Sequence, residues 1–512
     1  MGKLFGTNGV RGIINKEMTP ELALRLGKAC GTYLLRKSRI GIRESGIETN
    51  KLGRLSEAKS PVGGIRSQRE LKGGEAPLRV IIGTDTRTSK DMIKCAAISG
   101  LLSTGCDVYD AGIITSPGLQ YAVRQFKMDF GVIITASHNP PEFNGIKCVD
   151  ADGTELSPEQ ENEIEKIYFS GKFRAALWNE IGTIYQKPDA VQAYVDAVVS
   201  KVDVKAIAGK KPKVVFDASN GAGCFTTPYI LRRIGCEVIT LNCQPDGTFP
   251  GHQSEPVEEN VKDLMNVVKA AGANFGIVND GDADRAVFID EKGEYVTQDK
   301  ELTLFAKLAT KAAAEKCKST KSKKSIFVVA PVAVSMSTED AVKQYGGKIV
   351  YTAIGSPKVA RKMIELGAIF GGEANGGLIF PEIQYCRDGG MAAAKMAEII
   401  AKSGKKLSEM VADLPQWHMV QAKTKCPNEL KALVMNEYAK AAKRLKPEAV
   451  DTQDGTKLYF EDGWVMARPS GTEPIYRIYA ESKDAAVAER LLSEHTKIIE
   501  QIIGRLVAKL KV

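Results

Sequence analysis

Phe130-Gly-Val-Ile-Ile-Thr-Ala-Ser-His138 has two counterparts further along the chain, Phe275-Gly-Ile-Val-Asn-Asp-Gly-Asp282 and Phe370-Gly-Gly-Glu-Ala-Asn-Gly376. Each is an apolar run that gives way to functional groups, the pattern of a buried strand ending in a loop. Upstream of each lies the same succession of signals. A β-branched run comes first: Leu78-Arg-Val-Ile-Ile-Gly-Thr-Asp85, Lys213-Val-Val-Phe-Asp-Ala-Ser-Asn220 and Ser325-Ile-Phe-Val-Val-Ala-Pro331. A helical stretch follows and stops at glycine (Gly105, Gly235, Gly346), the residue that takes a left-handed backbone freely. A further strand starts directly after it. Three such units predict α/β layers with helices covering mostly parallel sheets, and ligands bound at loops outside the strand ends. The three loops differ in chemistry, which predicts one shared site with divided roles.

The pattern changes after about residue 411. Gly463-Trp-Val-Met-Ala-Arg-Pro-Ser470 and Ile475-Tyr-Arg-Ile-Tyr-Ala480 read as strands, and an amphipathic helix from about Ala485 to Leu510 closes the chain. The expected architecture is three related mixed α/β domains and a smaller α+β C-terminal domain. The expected bounds are 1–183 (serine loop), 184–298 (triple-aspartate loop), 299–410 (glycine-rich loop) and 411–512. Residues 39–77 read as an insertion without period, weakly ordered or disordered. Lys316–Lys324 reads as a solvated loop.

The totals agree with a multidomain globular chain. It has 512 residues, 43% hydrophobic and 26% charged, which excludes disordered, collagen-like and small disulfide-framework classes. No apolar run reaches the length of a membrane span, and no secretory or myristoylation signal is visible, so a cytoplasmic protein is expected. The ten cysteines form no C-x-x-C pair, and several sit in apolar stretches, which argues against a disulfide framework or a zinc site. Net charge is +9. Residues 36–79 hold 11 Lys or Arg against 5 Asp or Glu. The absence of interleaved aromatics favours a solvated loop over a nucleic-acid surface there. Nothing in the sequence specifies an oligomeric state.

Four loops carry candidate chemistry. Ser137, at the end of an apolar strand, can act as a nucleophile or a phosphate carrier. His138 follows it and could be a base, but neighbouring side chains on extended backbone point to opposite faces, so a catalytic Ser–His pair is not expected. Asp280, Asp282 and Asp284 alternate along one loop and can converge on a hard cation. Arg285 stands where an EF-hand requires glycine and the flanks read as strands, so a metal is expected without an EF-hand, magnesium fitting best. Glu373 and Asn375, on a glycine-rich turn, suit sugar hydroxyls or are a plain turn. Arg468, Ser470, Gly471 and Thr472, with Arg477 on the next strand, suit a phosphate dianion. Glycine-flanked Arg11 and the Asp85-Thr-Arg87 segment add further cations, for an anion or for backbone carbonyls.

Gly6-Thr-Asn-Gly-Val-Arg-Gly12, Thr135-Ala-Ser-His-Asn-Pro140, Asp280-Gly-Asp-Ala-Asp-Arg285, Gly372-Glu-Ala-Asn-Gly376 and Arg468-Pro-Ser-Gly-Thr-Glu-Pro474 occur in that order. Together they resemble the α-D-phosphohexomutases, in particular the archaeal phosphoglucosamine mutase and phosphomannomutase/phosphoglucomutase group, over the whole chain except residues 39–77. The resemblance implies four domains around a central cleft. It also implies a phosphorylated Ser137 whose phosphoryl group passes to a hexose or hexosamine phosphate. A bound bisphosphate then reorients and returns its other phosphate. Mg²⁺ would be held by Asp280, Asp282, Asp284 and a phosphoserine oxygen, with Arg11 and Arg285 assisting. Lys147 matches a residue assigned to acid/base work and would need a desolvated, cationic setting to lower its pKa. His138 would support the serine loop. Glu373 and Asn375 would hold the sugar, and Arg468, Ser470, Gly471, Thr472 and Arg477 the phosphate not being transferred. Many members carry serine where this chain has Asn375, which leaves glucosamine phosphate as first choice and mannose or glucose phosphates next. Two other readings are a nucleic-acid-binding protein using the basic insertion and a phosphatase acting on the phosphoserine.

Overall fold

The computed structural model describes residues 4–6, 8–44, 76–320, 324–470 and 474–510. They form two compact units, the first of residues 1–295 and 382–404, the second of residues 296–381 and 405–512. The first unit holds two sheets. The six-stranded one has the order 10–13, 143–150, 130–134, 79–84, 107–113, 184–186, and the four-stranded one 286–289, 275–279, 213–217, 237–241. The second unit holds a sheet in the order 348–352, 327–331, 370–373, 377–379, and a five-stranded antiparallel sheet of 418–425, 475–482, 463–469, 456–460 and 449–451.

The first three sheets share one core topology, as the threefold repeat predicts. The β-branched strand lies centrally, paired in parallel with the strand after its helix and with the Phe-Gly strand, and the Phe-Gly strand makes an antiparallel pair with the next. The landmark glycine has a packing reason. A Cβ on Gly131 would sit 2.7 Å from Val123, one on Gly276 2.5 Å from Val268, and one on Gly371 2.4 Å from Met363. Each of those partners lies on a covering helix or its flank, so only glycine lets the helix approach the strand closely.

The fourth sheet is covered by helices Lys431–Arg444 and Ala485–Leu510, with Val434, Tyr438, Ile478, Ile499 and Ile502 in its core. All ten cysteines are free thiols. Among the described residues, no helix is long and apolar enough to cross a membrane. Two expectations for the basic stretches change. Helix Pro20–Glu44 runs on through residues 39–44, and helix Gln298–Ser319 takes in the start of the Lys316–Lys324 run. Most of the insertion lies outside the described residues.

Candidate active site

In the first unit, the buried strand Phe130–Ile134 delivers the serine loop. Thr135 Oγ1 donates to Asp85 Oδ2 (2.6 Å) and accepts from the Ser137 amide (2.9 Å). Arg87 is fully buried beneath the loop. Its Nε meets Asp85 at 3.1 Å, its Nη1 donates to the carbonyls of Pro140 (2.6 Å) and Phe143 (2.8 Å), and its Nη2 to those of Ser137 (2.9 Å) and Asn139 (2.5 Å). The second of the two openings left by the sequence therefore holds: Arg87 is a clamp on carbonyls, not an anion ligand. Ser137 takes a left-handed backbone, φ 53°. This removes the extended backbone on which the expectation against a catalytic Ser–His pair rested. The chain is not extended there, and Ser137 Oγ lies 3.3 Å from His138 Nδ1.

Strands Phe275–Asn279 and Ala286–Ile289 pair antiparallel and hold the aspartate loop between them, as the rejection of an EF-hand requires. Ser137 Oγ donates to Asp280 Oδ2 at 2.7 Å. Asp282 Oδ2 accepts from Lys147 Nζ (2.7 Å) and Ser116 Oγ (2.5 Å). Asp284 Oδ2 accepts from Lys147 Nζ (3.1 Å) and Arg387 Nη2 (2.5 Å). One carboxylate oxygen from each aspartate lies within 4.8 Å of the others. Arg11 Nη1 donates to Asn139 Oδ1 (2.9 Å). Glu255 joins His138 Nε2 (3.1 Å) to Arg285 Nη1 (2.9 Å).

In the second unit, Glu373 ends the strand Phe370–Glu373 and is buried. Its Oε1 accepts from the Gly355 amide at 3.1 Å. Asn375 Oδ1 accepts from the Gly377 amide at 3.1 Å, so part of this side chain shapes the turn. Arg468 Nε meets Asp454 Oδ1 at 3.2 Å, and Asp454 Oδ2 accepts from the Ile354 amide at 2.9 Å. The Ile354-Gly355 turn thus ties the loop of Glu373 to that of Arg468. Arg477 stands opposite Arg468 in the strand register, and the Ser470 carbonyl accepts from Lys431 Nζ at 2.6 Å. Gly471 and Thr472 lie outside the described residues.

Four models of the phosphoglucomutase/phosphomannomutase family match the chain in order. Alpha/beta/alpha domain I covers residues 2–44 and 67–175, domain II 192–293, domain III 304–417, and the C-terminal domain 422–498. The chain belongs to the phosphoglucomutase/phosphomannomutase family. This places it among the α-D-phosphohexomutases, isomerases that work as intramolecular phosphotransferases. A phosphoglucomutase/phosphomannomutase of Thermococcus kodakarensis is 44% identical over 503 residues, 98% of this chain and 100% of the relative. A probable phosphoglucosamine mutase of Methanopyrus kandleri is 39% identical over 505 residues, 98% of this chain and 99% of the relative. Among solved structures, a family member from Burkholderia thailandensis has a TM-score of 0.78, covering 97% of this chain and 96% of its own, at 23% identity.

The electrostatics of this phosphohexomutase fit a bound cation beside an anion. Asp282 Oδ1 and Asp284 Oδ1 are buried and accept no hydrogen bond among the described residues, and Arg11 Nε and Arg285 Nε are buried donors without an acceptor. Burial, with repulsion from Asp282 and Asp284, raises Asp280 well above the usual carboxylate range. Burial also acts upward on Asp282 and Asp284, but Lys147 holds the first below the usual range and Arg387 the second. A metal ion could take the two orphaned carboxylate oxygens and relieve the repulsion at Asp280.

The surroundings of Lys147 differ from expectation. It is desolvated, but its partners are Asp282 and Asp284, which raise its pKa against the effect of burial. It is a charged ammonium rather than a ready base. His138 is lowered to about 2 by burial and by Arg285 and Arg11, so it is neutral. Glu255 then accepts its Nε2 proton. Arg387, Ser116 and Glu255 touch the site without having been found in the sequence. None lies in a recognisable pattern, though Arg387 directly precedes Asp388, the N-cap of helix Gly389–Ser403.

Proposed function

We propose that this phosphohexomutase exchanges the 6-phosphate and 1-phosphate forms of a hexosamine, glucosamine phosphate first, with Ser137 carrying the phosphoryl group. The observation behind this reading is the 2.7 Å contact from the Ser137 hydroxyl to Asp280, in a site with orphaned carboxylate oxygens and orphaned guanidinium donors. The P–O bond to Ser137 breaks as a bond forms to the free hydroxyl of the sugar phosphate, giving a bisphosphate. After it reorients, the other phosphate returns to Ser137. Such a transfer needs positioning and charge neutralisation more than covalent help.

Asp280, Asp282 and Asp284, with the phosphorylated serine, would hold Mg²⁺. When bound, the ion neutralises charge on the moving group. Arg11 and Arg285 offer their free guanidinium donors to the same oxygens. Lys147, protonated between its two carboxylates, gives its proton to the departing serine oxygen and recovers one from the attacking sugar hydroxyl. His138, neutral and held by Glu255, supports the serine loop. Glu373 and Asn375 hold sugar hydroxyls, and Arg468, Ser470, Gly471, Thr472 and Arg477 grip the phosphate that stays in place.

A second reading, glucose and mannose phosphates as substrates, is favoured by the name of the Thermococcus kodakarensis relative. Kinetics with glucosamine, glucose and mannose 1-phosphates, with Mg²⁺ and a bisphosphate activator, separate the two. For the carrier role, intact mass should show a species one phosphate heavier, absent from Ser137→Ala, which should lose about a thousandfold or more of turnover. Unchanged turnover in that variant would refute it. Free phosphate released as fast as isomer forms would instead indicate a phosphatase.

A further inference from the structure

We propose that Arg387 is a positioning residue that makes the cation site prefer magnesium to calcium, by holding one oxygen of Asp284 and leaving the other to the ion; this rests on Asp280, Asp282 and Asp284 being the metal ligands. The two aspartates beside Lys147 are divided in the same way. Asp284 Oδ2 accepts from Arg387 Nη2 (2.5 Å) and, at greater distance, from Lys147 Nζ (3.1 Å). Asp282 Oδ2 accepts from Lys147 Nζ (2.7 Å) and Ser116 Oγ (2.5 Å). On each of them Oδ1 is buried and accepts no hydrogen bond among the described residues. Lys147 serves both carboxylates and lies nearer Asp282, so Arg387 is the closer holder of Asp284. An ion that took both oxygens of Asp284 would come up against the guanidinium charge, which leaves this carboxylate a one-oxygen ligand.

Arg387 is buried, and the segment that carries it is docked on the aspartate loop. The Gly389 amide donates to the Ala283 carbonyl at 3.2 Å. A Cβ on Gly389 would stand 2.4 Å from Asn279 Nδ2 and 2.6 Å from the Arg285 carbonyl oxygen. Between the two, Asp388 accepts from the Tyr194 hydroxyl and from the Met391 amide (2.8 Å). Gln384 Nε2 donates to the Pro117 carbonyl (2.9 Å) and to Asp388 Oδ2 (3.2 Å). A planar guanidinium on so tied a backbone holds its carboxylate in one orientation.

That orientation separates the two ions. Calcium is the larger, collects more oxygens and often grips both oxygens of one carboxylate. Magnesium demands a near-octahedral set and is satisfied by single carboxylate oxygens with phosphate oxygen and water.

Calorimetric titration of the full chain with Mg²⁺ and with Ca²⁺ tests this on wild type, Arg387→Met, Arg387→Gln and Arg387→Lys. Loss of a nearby positive charge strengthens the pull on any divalent ion, so the reading is the ratio of the two affinities. In Arg387→Met and Arg387→Gln the ratio should move toward calcium by about tenfold or more. Either suffices if the other does not fold, which melting in chelator reports. Arg387→Lys returns a charged donor and should fall between wild type and Arg387→Gln. An unchanged ratio in folded Arg387→Met or Arg387→Gln, or an Arg387→Lys ratio no better than that of Arg387→Gln, would overturn the proposal. A wild type that binds no Mg²⁺, or an Asp280→Asn variant that binds it undiminished, would instead remove the metal assignment beneath it.

Discussion

The Ser137 hydroxyl donates to the Asp280 carboxylate over 2.7 Å, although 143 positions separate the two residues. Two strand ends from different sheets meet here, and their backbones also approach closely. A Cβ on Gly281 would stand 2.7 Å from the Ser137 carbonyl oxygen. The contact therefore depends on a missing side chain as much as on the two that touch.

Gly281→Ala tests that closeness. The backbone of Gly281 is not left-handed, so alanine suits its conformation, and the obstacle is the Ser137 carbonyl. Pushing the loops apart by even a few tenths of an ångström should cost at least about tenfold in kcat. Stability should fall by about 1–3 kcal/mol. Steady-state kinetics and urea unfolding check both, and wild-type turnover would show that the spacing is not critical.

Asp280→Asn removes a charge that burial and two neighbouring aspartates oppose. In chelator, this variant should melt at or above the wild-type temperature. Wild type should gain melting temperature on addition of Mg²⁺, because a ligand bound only by the folded state stabilises it. The variant should lose most of that gain. Differential scanning fluorimetry with and without Mg²⁺ reads all three, and an undiminished rise in the variant would remove Asp280 from the metal site.

Arg87→Ala should do more harm than a surface change. It strips donors from the carbonyls of Ser137, Asn139, Pro140 and Phe143 and leaves Asp85 buried without its ion pair. A loss of about 3–5 kcal/mol is expected. Arg87→Lys should restore little, because one ammonium cannot replace a planar fork with two arms in use. Chemical denaturation of both variants provides the measurement.

His495 gives a pH dependence with a defined sign. Buried against Tyr438, whose hydroxyl lies 2.7 Å from Nδ1, it is lowered by burial to about 4 from an ordinary 6.5. Between those values the unfolded chain binds more protons than the folded one. Its contribution to stability is therefore complete above about 6.5 and is lost as pH falls toward 4, with a slope of at most about 1.4 kcal/mol per pH unit. His495→Gln should flatten this part of the profile, measured by urea unfolding between pH 4 and 7.

Repetition and local spacing made much of the enzyme legible. The three Phe-Gly strands, the glycine helix stops and the alternating Asp280, Asp282 and Asp284 are periodic or adjacent features, and such features follow from backbone geometry alone. The direction of the His138 side chain was misjudged because one residue, Ser137, leaves the extended region, and a single left-handed φ changes which side chains meet. The surroundings of Lys147 were misjudged in sign, since its cationic neighbours are outweighed by carboxylates brought in from another sheet.

The order of strands and helices, the position of Ser137 at a strand end and the identity of the acidic trio belong to the amino-acid order, because hydrophobic period and turn residues act over a few positions. The partners of those groups belong to the folded molecule. Arg387 on Asp284, Ser116 on Asp282 and Glu255 between His138 and Arg285 come from segments distant in sequence. The charge state of each group in the site is set by burial and by those neighbours, and both exist only once the sheets have packed.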